Sequence, residues 1–217
     1  MQRENLKKGI YFGMIGNILF VAFGLICLLY YYTFDPKSIL SKTIELLAYG
    51  TELVGFGLLV YADYLLIVSI RLRRLLKVSF SAYIFLEALM MVLELNGPRL
   101  PFYQPYSLWL AIVHAVISGA CCFAFLQLDP ENTKFEIVIS ACIIAIFAGM
   151  LGNILGIRVY FSILINAVSF AFMFGGTRFL LEREDISIDC IGDRAKEAVF
   201  SSSTLFADNS GDEEDEK

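Results

Sequence analysis

Glu52, Glu87 and His114 each interrupt a stretch of otherwise apolar residues, and their side chains are the ones here best suited to chemistry. An ionisable group in such surroundings is costly, and inside a membrane span it faces the protein interior or a water-filled cavity. Glu45, Glu52 and Asp63 follow one another at steps of seven and eleven residues. Those steps return to within about 20° on a helix, so the three acids form one stripe. Glu87 and Glu94 repeat the seven-residue step on the next apolar stretch, with Tyr83 one turn from Glu87 on the same side. His114 is the only histidine, and Asn153 and Asn166 are amides in later apolar stretches. Carboxylates beside an imidazole and an amide can share a proton, hold a cation or orient a polar ligand. Glu52, Glu87, His114 and Asn166 are therefore the candidate substrate- or ion-binding set.

Enzyme signatures are scarce. A single histidine excludes multi-histidine metal sites such as H-E-x-x-H, and there is no G-x-S-x-G, P-loop or Gly-rich dinucleotide fingerprint. No catalytic residue and no cofactor are assigned. Two glutamates and one histidine suffice in principle for a divalent metal or for acid/base hydrolysis, so the metal remains undetermined. Of the five cysteines, Cys27, Cys121, Cys122 and Cys142 lie in apolar runs and none forms a C-x-x-C pair, the pattern of small buried hydrophobes.

The elements that must position these residues follow from composition. The chain has 217 residues, of which 58% are hydrophobic and only 18% charged, against about 25% in a soluble domain. The charges crowd into the N-terminus, residues 71–77 and the region beyond Arg178. This predicts an all-α integral membrane protein with six transmembrane helices at Ile10–Tyr32, Leu46–Ile70, Val78–Leu95, Tyr106–Leu126, Phe135–Leu155 and Val159–Leu181. The first apolar run is too long for a signal-peptide core and reads as an uncleaved span. Breakers separate the spans at Asp35-Pro36, Asn96-Gly97-Pro98 and Asp129-Pro130. The connection Gly156–Arg158 is the tightest, and without a turn there spans five and six would merge. Residues 1–182 form the transmembrane domain and 183–217 a polar cytoplasmic tail, disordered and acidic from about 201. The net charge of −5 comes largely from that tail, and no basic surface suggests nucleic acid.

Orientation follows from Lys and Arg. With both ends in the cytoplasm, the short inner segments carry ten (Arg3, Lys7, Lys8, Arg71, Arg73, Arg74, Lys77, Lys134, Arg178 and Arg183) against four outside (Lys37, Lys42, Arg99 and Arg158). The expected location is the cell membrane. Tyr30–Tyr32, Phe102, Tyr103, Tyr106 and Trp109 then form an outer aromatic belt. At about 1.5 Å per residue, Glu52 lies roughly 9 Å below the outer boundary, and Glu87 and His114 roughly 12 Å, with Asn166 at a similar level. No Lys or Arg shares that depth, so the acids are protonated, bind a cation, reach water or pair with His114. Separate local solutions by Ser, Tyr or backbone carbonyls are the alternative. Asp63 is placed to pair with Arg71, Arg73 or Arg74, and Asn17 to bond between helices.

Gly13-Met-Ile-Gly-Asn-Ile-Leu19 is echoed by Gly149-Met-Leu-Gly-Asn-Ile-Leu155, matching at six of seven positions. The two copies lie at different depths, which favours reuse of a packing motif over duplication. Span five also places Ala141, Ala145 and Gly149 four apart, and likewise Ala148, Gly152 and Gly156. Small residues at that spacing let backbones approach, so span five is expected to be the most tightly packed, with Gly149, Gly152 and Gly156 available for helix–helix association. Three functions compete: a small-molecule or ion transport component, a non-catalytic sensor or assembly subunit, and an intramembrane enzyme acting on lipid.

Overall fold

Hydrogen bonding within the chain is the only way an apolar segment can satisfy its backbone in lipid, and these segments are helical throughout. The computed structural model describes residues 2–33, 38–70, 74–96, 104–126, 128–129, 131–155, 159–184 and 188. Six helices run through them: α1 (Gln2–Thr33), α2 (Ile39–Ser69), α3 (Arg74–Asn96), α4 (Gln104–Leu126), α5 (Thr133–Ile154) and α6 (Val159–Glu182). Five are long and apolar enough to cross a membrane, while the apolar stretch described in α4 is the shorter Ile112–Leu126. Two helix starts carry side-chain caps. Ser38 Oγ accepts from the Leu40 amide at 3.2 Å, and Asn132 Oδ1 from the Lys134 and Phe135 amides at 3.1 and 3.2 Å. Gly156–Arg158 lies outside the described residues, as does nearly all of the tail.

Named contacts give the topology. Gly9 of α1 meets Ala62, Leu65 and Leu66 of α2 whereas Gly16 meets Gly55 and Leu59, so the two helices are antiparallel. Gly13 against Phe174 and Gly24 against Leu164 set α6 antiparallel to α1. Gly149 against Ile165 and Gly176 against Val138 do the same for α5 and α6. The bonds Cys121–Ser79 and His114–Glu87 do so for α3 and α4. Each helix packs on its sequence neighbours, α6 returns to α1, and the α2–α3 contact is the thinnest in the ring. The starts of α1 and α3 therefore share one end with the close of α6, which gathers Lys7, Lys8, Lys77, Lys134, Arg178 and Arg183 there.

Half or less of each apolar stretch is buried. Leu46, Leu53, Phe85, Ile144, Leu151, Phe172 and Phe179 all stand exposed on the outside of the bundle. A surface of this kind belongs in lipid rather than water. The interior is aromatic toward the basic end. Phe80, Phe125 and Phe174 meet pairwise at 5.5–6.3 Å between ring centroids, and Tyr83 stacks on Phe170 at 4.8 Å.

Two packing expectations are corrected. Among the glycines with described surroundings, the closest approach to another helix's backbone is between α1 and α2, where a Cβ on Gly16 would lie 3.0 Å from the Gly55 carbonyl and one on Gly55 would lie 3.2 Å from that of Gly16. Helix α5 is the least buried of the apolar stretches, with Ala141 and Ala148 exposed and Gly149 occupied by Ile165 of α6. Small residues permit close approach, but the partner face decides whether it occurs. Asn17 is buried, yet its Nδ2 donates to Gly13 of its own helix at 2.8 Å rather than to a neighbour. A side chain this short reaches the carbonyl four residues back more readily than another backbone.

Candidate functional site

Helices α3, α4 and α6 converge where the aromatic layer ends. From α3 comes Glu87, from α4 His114 and Ser118, and from α6 Asn166. His114 and Ser118 are four residues apart and so project from one side of α4. Glu87 Oε1 lies 2.7 Å from His114 Nε2, Asn166 Nδ2 lies 3.1 Å from His114 Nδ1, and the same nitrogen lies 3.4 Å from Ser118 Oγ. With the amide nitrogen turned to Nδ1, that ring nitrogen accepts and Nε2 carries the hydrogen that it donates to Glu87. Both ring nitrogens are thereby engaged, and the Glu87–His114 contact has the length of a charge-assisted bond.

The surroundings are apolar on one side and partly open on the other. Tyr83, one turn from Glu87, is buried, stacks on Phe170 and tilts its ring toward His114 at 5.9 Å between centroids. Phe80, Phe125 and Phe174 continue that floor toward the basic end. The His114 and Glu87 side chains nevertheless keep 20% and 12% of their surface accessible. Asn166 Oδ1 is buried with no hydrogen-bond partner among the described residues. A buried acceptor left this way costs about 1–3 kcal/mol, which marks the place where a donor would be welcome.

No match emerges for this chain from family models, curated proteins or solved structures.

Of the candidate set, Glu87, His114 and Asn166 are brought together. Glu52 is also buried, at 5% accessibility, on the face of α2 that carries Ala48, Gly55 and Leu59. Gly55 abuts Leu19 and Phe20, so Glu52 stands one turn further along, beside the Phe20–Gly24 stretch of α1. Gly24 meets Leu164, two residues before Asn166, so Glu52 shares the depth of the site. It does not complete a ligand set there: among the described residues no three of His, Cys, Asp and Glu group so as to hold a metal ion. Asp63 is half-buried, Arg71 and Arg73 lie outside the described residues, and so do the side chains of Arg74, Glu94 and Asn153.

Ser118 and Phe170 are the members that sequence reasoning missed. Ser118 had a signal, its four-residue spacing from the only histidine. Phe170 had none, because one phenylalanine among nineteen becomes distinctive only when a tyrosine from another helix lies on it. The cysteines behave as small hydrophobes: Cys121 and Cys122 are both buried, and the Cys121 and Cys142 thiols are spent on the Ser79 and Ser169 carbonyls at 3.0 and 3.2 Å.

Proposed function

We propose that this chain is a small-molecule or ion transport component of the cell membrane, with six spans, both ends in the cytoplasm and its polar site in the outer half of the bilayer. The observation that carries this reading is the Glu87–His114–Asn166 chain of hydrogen bonds, set inside a bundle whose outer surface is apolar. Polar groups are kept at such a depth when they face a ligand or an ion path. The aromatic layer between the site and the basic end supports a one-sided binding position, because it separates the site from that end with packed rings. Orientation with the basic end inward rests on Lys7, Lys8, Lys77, Lys134, Arg178 and Arg183, and it places the site nearer the outside.

The test compares cells lacking the chain with cells expressing it, or its Glu87→Gln or His114→Gln form, by broad ion and metabolite analysis. Accumulation that depends on the wild type is expected to disappear in both variants at equal membrane abundance. Full accumulation by both variants would remove this reading.

A second reading, an assembly or sensor subunit, is favoured by one observation. Helix α5 leaves Ala141, Ile144, Ala148 and Leu151 exposed along one face, a surface on which another helix could pack. A partner that co-purifies with the wild type and is lost on Ala148→Trp would support it.

A further inference from the structure

Resting on the transport reading, a sharper inference concerns what the site takes. We propose that its ion is a proton, held by the Glu87–His114 pair, and that Asn166 is a positioning residue whose amide turns to match the proton count. Metal ligation through His114 would require a ring nitrogen lone pair, yet Nε2 is turned to Glu87 at 2.7 Å and Nδ1 to Asn166 at 3.1 Å. A metal would have to displace one of these partners. A proton leaves Glu87 in place and asks only that the Asn166 amide turn over.

The proton inventory is simple. Empty, the pair is a Glu87 carboxylate with a neutral His114 bearing hydrogen on Nε2, and its net charge is negative. One proton from water makes it neutral. If the proton goes to the ring, Nδ1–H and Nε2–H are both present beside the carboxylate. If Nε2 passes its hydrogen to Glu87 and keeps the bond, Nδ1 again carries the new one. In both forms Nδ1 changes from acceptor to donor, and the Asn166 amide nitrogen can no longer face it. A half-turn of the amide brings Oδ1, now buried without a partner, to accept from Nδ1–H, while the Ser118 hydroxyl rotates to donate to the same oxygen. Asn166 thus has one orientation for each proton count. The unpartnered Oδ1 is the independent sign that the empty form is not the one in which this amide is fully used.

The described groups at the level of His114 include one further carboxyl, that of Glu52. Tyr83 faces it from α3 and Asn166 and Phe170 line the α6 side, while Glu52 shares the depth from α2. No Lys or Arg among the described residues stands at this level.

Because His114 is the only histidine, it can be observed alone. The full chain, labelled with ¹⁵N-histidine and held in lipid nanodiscs, is recorded by solid-state NMR from about pH 9 to about pH 5, a range that brackets ordinary imidazole protonation. The expected spectrum at alkaline pH shows hydrogen on Nε2 and a bare Nδ1, and acidification moves Nδ1 to the hydrogen-bearing position, with Nε2 keeping its hydrogen or passing it to Glu87. Asn166→Leu removes the amide that faces Nδ1: hydrogen stays on Nε2, held by the Glu87 carboxylate, while the bare Nδ1 resonance is expected to move to that of a nitrogen accepting no hydrogen bond. Asn166→Gln, which keeps an amide donor, is expected to bring that resonance back toward its wild-type position. Hydrogen on Nδ1 in the wild type at alkaline pH, or a ring unchanged across the whole range, overturns the inference without any reference to transport. Conversely, the expected spectrum together with full accumulation by Glu87→Gln and His114→Gln would sink the transport reading and leave the proton site standing.

Discussion

The bond between Glu87 and His114 makes a quantitative demand that unfolding experiments can meet. Replacing Glu87 by Leu leaves the Nε2–H of His114 without its acceptor, and replacing His114 by Leu leaves a carboxylate without its donor. A hydrogen bond to a charged group contributes about 1.5–3 kcal/mol in water-soluble proteins. Interhelical polar pairs in membranes measure lower, averaging about 0.6 and reaching about 1.7 kcal/mol, because the unfolded helices also find partners. The 2.7 Å separation argues for the upper part of that range, and the residual accessibility of both side chains argues against exceeding it. The expected coupling is therefore about 1–1.7 kcal/mol. It is measured by a double-mutant cycle of Glu87→Leu, His114→Leu and the double variant, each titrated from mild detergent into denaturing detergent and followed by circular dichroism. Glu87→Gln, which keeps an oxygen within reach of Nε2–H, should lose less stability than Glu87→Leu. A coupling indistinguishable from zero would mean that the two groups are solvated independently, and the site as drawn would not exist.

Other consequences can be checked with the same unfolding assay or with labelling. Gly13→Ala drives a Cβ to 2.5 Å from the Phe174 ring and should destabilise by about 1–3 kcal/mol, whereas Gly57→Ala, with nothing within 4 Å, should be neutral or slightly stabilising. Gly55→Leu should separate α1 from α2 and cost more than Gly57→Leu, and equal midpoints would contradict the crossing described. Asn17→Leu removes a buried acceptor, Oδ1, that has no partner, so its effect should lie within about 1 kcal/mol of zero, and a loss of several would show that Asn17 holds something essential. In a background with the native cysteines replaced, single cysteines at Lys8, Lys77 and Arg183 should react with an impermeant maleimide only from the cytoplasmic face, and one at Lys42 only from outside. Labelling of Lys42 and Lys8 from the same side would refute the antiparallel pairing of α1 and α2.

The sequence alone determined that the chain is helical and apolar, and where most helices begin and stop. Apolar runs of about 20 residues need their backbone bonds closed internally, and Asp35-Pro36, Asn96-Gly97-Pro98 and Asp129-Pro130 leave few choices for the breaks. It also marked Glu87, His114 and Asn166, because a group that is expensive in lipid is conspicuous wherever it stands. The shared level of Glu87, His114 and Asn166 along the bundle was legible too, since rise per residue is nearly constant along a helix. What one-dimensional order does not contain is the rotation of each helix about its axis and the identity of its neighbour. Those decided that Glu87 meets His114 while Glu52, at similar depth, sits on the face of α2 that packs on α1. The same two unknowns turned Asn17 back on its own helix and gave the closest crossing to Gly16 and Gly55 rather than to the glycines of α5. In lipid, the apolar effect that would rank such arrangements in water is absent, so shape matching between whole helices selects among them, and that matching exists only in the assembled bundle.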